Sequence, residues 1–175
     1  MSHLPPHHQR RTFLKLGIAS AVLLAVAGGA VALMQPGLVD GKTTASTRLV
    51  LMQVAQGMLA GTLPTDTPAR QRILDGMMAR TDTFISGLPP HVQAELSQLF
   101  GLLATAAGRR GIVGLSATWE TATPAEMVTA LHAMRTSGMD LRIQAYQGLH
   151  DLVCVPYFAG TESWTLLGYP GPTPV

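Results

Sequence analysis

A chain of 175 residues has room for one domain plus a targeting segment. Apolar residues make up 47% and charged residues 13%, against about 25% charged in a typical soluble domain, so a core is readily built and little charge is left to cover it. The formal charge of +2 comes from the beginning of the chain, where Arg10, Arg11 and Lys15 precede the first acidic residue, Asp40. From Asp40 onward nine basic residues face ten acidic ones, a net of −1. Only Arg109-Arg110 are clustered, which leaves no basic face for nucleic acid. A thinly charged surface of this kind suits a domain that lies against a partner.

The stretch Gln9 to Ser20 reads QRRTFLKLGIAS. Arg10, Arg11, Phe13, Leu14 and Lys15 stand as in a twin-arginine export signal, and Leu16 to Met34 follows with 19 residues free of charge. Residues 1–9, with His3, His7 and His8, read as the polar region before it. The uncharged run is rich in Ala and Gly, as such signals are, and less apolar than a spanning helix. Ala30-Val31-Ala32 supplies the small residues that a signal peptidase needs, so cleavage is expected after Ala32 and a periplasmic location follows. The alternative is an uncleaved anchor, since 19 residues at 1.5 Å rise give about the 30 Å of a bilayer core.

Residues 33–43, with Pro36, Gly37 and Gly41, read as a linker, and residues 44–158 as an all-α bundle of about five helices. Thr44 or Ser46 caps the first, which carries Leu49, Leu51, Met52, Val54, Ala55 and Met58 at helical spacing to about Leu59. Asp66 or Thr67 caps the second, with Pro68 in its first turn, and it runs to about Ile85. A third runs from about Pro90 to Ala107. GRRGIVGLSATWE, from Gly108, reads as irregular. Thr123-Pro124-Ala125-Glu126 opens the fourth, which ends at Ser137-Gly138. The fifth starts near Met139 or Asp140 and is expected to stop at Pro156. No alternating strand pattern is found. Nine methionines fit a soft, adaptable core or interface.

The chain has no dinucleotide or phosphate-loop motif, no Cys-x-x-Cys and no covalent haem motif. No His or carboxylate pair stands at metal-ligand spacing on one helix. His132 and His150 fall in helices and, with Met127, Met134 or Met139, are the residues from which a haem site would have to be built. His150 and Asp151 are neighbours that should point different ways. The single cysteine, Cys154, cannot form an internal disulfide and sits among Leu152, Val153, Val155 and Pro156, as a small buried side chain would. No catalytic, cofactor-binding or metal-binding residue is therefore assigned to this chain. Export in a folded state then points to a partner that carries a cofactor and travels with it.

Residues 159–175 form a segment rich in aromatics, Pro and Gly, read as an extended tail. Trp164 and Tyr169 are residue types that anchor interfaces. The sequence W-T-L-L-G-Y-P-G-P, Trp164 to Pro172, preceded by a helix ending in Tyr157-Phe158, resembles the C-terminal signature of the small-subunit family typified by gluconate 2-dehydrogenase subunit 3. Where that family tends to carry Gly-Gly-Asn before the Trp, this chain has Gly160-Thr161-Glu162-Ser163. The resemblance implies a non-catalytic, chaperone-like subunit with a twin-arginine signal. Its partner would be a signal-less, FAD-loaded dehydrogenase of the glucose–methanol–choline type, joined in some complexes by a cytochrome c subunit. It places Tyr157, Phe158, Trp164, Gly168, Tyr169, Pro170, Gly171 and Pro172 at the partner. The alternatives are a free-standing periplasmic haem or metal bundle built on His132 and His150, or a membrane-anchored structural protein.

Overall fold

The computed structural model describes residues 35–171, apart from the side chains of residues 165–167. The export motif Arg10, Arg11, Phe13, Leu14 and Lys15, the uncharged run after it and Pro172 lie outside the described residues. The rest is all-α, as the periodicity requires. Five long helices make the bundle: α1 (Ala45–Met58), α2 (Thr67–Ser86), α3 (Pro90–Ala104), α5 (Pro124–Arg135) and α6 (Asp140–Phe158). A short α4 (Ala106–Gly108) follows α3, and α7 (Thr161–Leu167) follows α6.

The helix starts follow from local chemistry. The Thr44 and Asp66 side chains accept from the backbone N–H groups of Thr47 and Ala69, and Pro68 stands in the first turn of α2. At α5 a full capping box forms: Thr123 accepts from the Glu126 N–H, and the Glu126 carboxylate accepts from the Thr123 N–H at 2.8 Å. Each such cap contributes about 1 kcal/mol. Helix α1 is central, packing on α3, α5 and α6, while α2 packs on α6 and α5 on α6. Val50, Leu51 and Val54 of α1 meet Met77, Met78 and Ile85 of α2, Phe100 and Leu103 of α3, Met127 and Met134 of α5, and Leu149 and Val153 of α6 in one cluster. Four of the nine methionines thus sit wholly inside, where unbranched side chains fill irregular gaps.

Five details depart from the sequence reading. The linker contains a two-residue antiparallel hairpin, β1 (Leu38–Val39) and β2 (Lys42–Thr43). Asp40 and Gly41, at φ +50° and +72°, make its turn, the Asp-Gly pair that a primed hairpin turn favours. Strands this short leave no alternation to detect. The hairpin seats on α3 because Gly37 and Gly101 lack side chains: a Cβ on Gly37 would stand 2.5 Å from the Phe100 Cβ, and one on Gly101 would stand 2.6 Å from the Gln35 oxygen. The Gly37 N–H donates to the Ser97 oxygen and the Leu38 N–H to Ser97 Oγ, both at 3.0 Å. On the other strand, the Thr43 N–H donates to Asp82 Oδ1 at 2.9 Å, and Arg48 pairs with Asp82 Oδ2 at 3.1 Å.

Helix α3 ends at Ala104, short of Ala107, because Thr105 is extended (ψ 157°) and caps the next turn by accepting from the Gly108 N–H. The segment expected to be irregular then opens as a π-helical turn, Arg109–Val113, closed by Gly114 at φ +80°. The buried Arg109 guanidinium donates to the Ser116 oxygen at 2.9 Å, and Arg142 donates from α6 to the Ile112 oxygen at 2.9 Å. The Trp119 indole N–H satisfies the Leu103 oxygen at 2.9 Å. Wide turns expose carbonyls, and here Arg142 reaches in from α6 to cover those of Ile112 and Val113.

Pro156 does not stop α6, which continues to Phe158 with Pro156 buried inside it. Its ring removes the N–H that would reach the Leu152 oxygen, and Thr81 Oγ1 of α2 donates there instead, at 3.3 Å. The tail is not fully extended either. Residues 161–167 contain no Gly or Pro, so they form α7, and the breakers that suggested an extended chain lie outside it, at Gly160 and from Gly168 onward.

Candidate functional site

Two surface features collect the residues singled out above. The first lies where α6 ends. Its exposed face finishes in Val155 and Phe158, 50% and 41% exposed. The chain then bends at Gly160, where a Cβ would run into the Arg80 guanidinium and the Glu162 carboxylate. Arg80 Nε donates to the Pro156 oxygen at 2.6 Å, and its Nη2 pairs with Glu162. The buried Ser163 hydroxyl donates to the Gly160 oxygen at 2.7 Å. Burial raises the Glu162 carboxyl, but the hydrogen bond from its own backbone and the bond and charge of Arg80 outweigh this and hold it below the usual carboxylate range.

Beyond α7 the chain folds back on itself. Gly168, at φ +66°, makes the turn, and the Tyr169 N–H returns to the Trp164 oxygen at 2.9 Å. Trp164 and Tyr169 meet edge to face at 5.3 Å and 75°, a geometry favourable to aromatic pairs. The Trp164 indole N–H donates to the Phe158 oxygen at 3.3 Å. Gly171 lies against the same indole, since a Cβ there would stand 3.4 Å from it. Tyr169 remains 49% exposed, beside an exposed Pro170. Val155, Phe158, Tyr169 and Pro170 therefore stand on the surface, and Trp164 is half-buried against Tyr169 and the end of α6.

Tyr157 is corrected from a partner residue to a core residue. It is 1% exposed, on the inward stripe of α6 with Leu149 and Val153, and its ring meets Phe158 edge to face. Adjacent aromatics on a helix point about 100° apart, so only Phe158 can face outward. Gly168 shapes the turn and Gly171 allows the close approach to Trp164.

The second feature is an open groove of about 280 Å³ between α1, α5 and α6. Gly57, Met58, Val128, Leu131 and Tyr146 supply its apolar wall, and His132, Arg135, His150 and Cys154 its polar atoms. The fold thus brings His132 and His150 to one groove, while Met127 and Met134 face the core and Met139 stands in the loop before α6. His150 and Asp151 do meet, contrary to the expectation from helix geometry: Nδ1 lies 3.1 Å from Oδ1, because both side chains are exposed enough to swing together. Cys154 is half-buried, and burial, then the Asp151 charge, push its thiol pKa up. His150 and Cys154 are one helical turn apart, a His-x-x-x-Cys spacing that pairing His only with His or carboxylate passes over. Among the described residues no three His, Cys, Asp or Glu side chains converge on one point as a metal ion would need, and no helix is long and apolar enough to cross a membrane.

Comparison of the chain with family models, with curated proteins and with solved structures finds no match. What is defined is a class of architecture, a small all-α bundle with an aromatic cluster folded over the end of its last long helix.

Proposed function

We propose that this chain is a non-catalytic small subunit that escorts a cofactor-loaded, signal-less FAD-dependent dehydrogenase through twin-arginine export and remains bound to it in the periplasm. One observation carries the reading: Phe158, Tyr169 and Pro170 are exposed apolar residues in the sequence segment that resembles the dehydrogenase small subunits, with Val155 exposed one turn earlier on α6. A surface that keeps two aromatic rings in water, braced by Trp164 from behind, suits burial against a protein partner. The thin charge of the body and the twin-arginine motif support the same reading. FAD belongs to the partner, and a cytochrome c subunit is a further candidate member of the assembly.

The test is export of the flavoprotein. Arg10→Lys with Arg11→Lys removes the guanidinium groups of the motif, for which ammonium is not an equivalent. Both this chain and the dehydrogenase activity should then stay in the cytoplasm. Periplasmic flavoprotein at the normal level in that variant would overturn the proposal.

A further inference from the structure

We propose that the groove between α1, α5 and α6 holds a single cuprous ion on Cys154 and His150, with Met58 as a third donor. Three observations lead there. His150 and Cys154 are spaced i, i+4 on α6, so both side chains leave the same face of one helix. Met58, at the last turn of α1, lines the same groove as both of them. His150 Nδ1 lies 3.1 Å from the Asp151 carboxylate, and in the tautomer that donates this bond Nε2 is the nitrogen open to a metal. A carboxylate behind an imidazole is the usual support of a metal-binding histidine.

The donor types select the ion. Thiolate and thioether sulfur favour Cu(I), whereas hard cations prefer oxygen. A d10 cuprous ion takes two or three ligands without a demanding geometry, so it needs no convergence of three His, Cys or carboxylate groups, which the described residues do not offer. Binding expels the Cys154 proton to solvent and forms a Cu–S bond, with no change of oxidation state. Arg135 on the same groove opposes a cation and Asp151 favours one. The site is separate from the aromatic surface at the end of α6 and does not depend on the escort reading.

Anaerobic titration of the full, reduced chain with Cu(I) against a chromophoric chelator tests this. One ion per chain is expected, with a near-ultraviolet thiolate-to-copper band. Cys154→Ser should abolish the band, and Met58→Leu should weaken binding. Asp151→Asn, on an exposed side chain hydrogen-bonded to His150, should lower affinity by about 10–100-fold. His3, His7 and His8 are the competing donors, and replacing all three with Ala should leave the band in place. Absence of stoichiometric binding, undiminished affinity in Cys154→Ser, or loss of binding with the three N-terminal histidines would each overturn the site.

Discussion

Thr81 Oγ1 on α2 stands 3.3 Å from the carbonyl oxygen of Leu152 on α6, the acceptor that Pro156 deprives of its helical donor. The same hydroxyl lies 3.0 Å from the Met77 oxygen, so one proton is shared between its own helix and the neighbouring one. Thr81 is fully buried. Thr81→Val should cost about 1–3 kcal/mol, since it leaves a buried carbonyl without a partner. In a Pro156→Ala background the restored N–H takes over the Leu152 oxygen, and the same change should cost less. Denaturant unfolding of the four variants measures the coupling; equal costs in both backgrounds would show that Thr81 is not the replacement donor.

A charge on the exposed aromatic surface separates docking from folding. Phe158→Asp places a carboxylate on a side chain already 41% in solvent, so far-UV circular dichroism and the midpoint of unfolding should barely move. Association with the proposed dehydrogenase partner should weaken by about 2 kcal/mol or more, the loss seen when an aromatic anchor is removed. Unchanged co-purification of the two chains would place the docking surface elsewhere on the bundle.

The Arg80–Glu162 pair makes the attachment of α7 dependent on acid. The folded-state carboxyl of Glu162 lies below its ordinary value of 4.5. Its contribution is therefore present above that value and lost as pH falls through the lower, folded pKa. Trp164, two residues on, reports the change. Its fluorescence should shift below about pH 4.5 in the wild type, and Glu162→Gln should remove that transition while the buried Trp119 signal persists. An identical acid profile in Glu162→Gln would rule out this pair as the attachment.

Gly37→Ala tests the hairpin seat. The added methyl would run into the Phe100 side chain and the Ser97 and Gly101 backbone, and overpacking of this kind costs about 1–3 kcal/mol. Amide exchange should then quicken at Leu38 and Thr43, whose N–H groups donate to Ser97 and Asp82, before it quickens in α1. Retained protection at both amides would show that the seat tolerates the methyl.

The long helices were legible because their signals are local. Thr44, Asp66-Thr67-Pro68 and Thr123-Pro124-Ala125-Glu126 announce three starts, and the structure places caps at Thr44, Asp66 and Thr123. What local signals mislead about is set by distant partners. Pro156 reads as a stop until Thr81, 71 residues before Leu152, answers the Leu152 carbonyl. The Arg109–Val113 turn is sustained by Arg142, whose donors arrive from α6. At the candidate docking surface the residue types were readable, but their facing was not. Tyr157 and Phe158 look alike in sequence, and only the phase of α6 sends one inward and the other out.

The β1–β2 hairpin also decides where a mechanical load enters the molecule. Tension applied to the chain before Gln35 reaches the Gly37 and Leu38 bonds to Ser97, then the Thr43 bond to Asp82, before it can act on Ala45. The pull is thus delivered to α3 and α2 through a short clasp, and α1 is spared from being peeled off the bundle from its first turn. Under such a load the central helix stays seated for as long as that clasp holds.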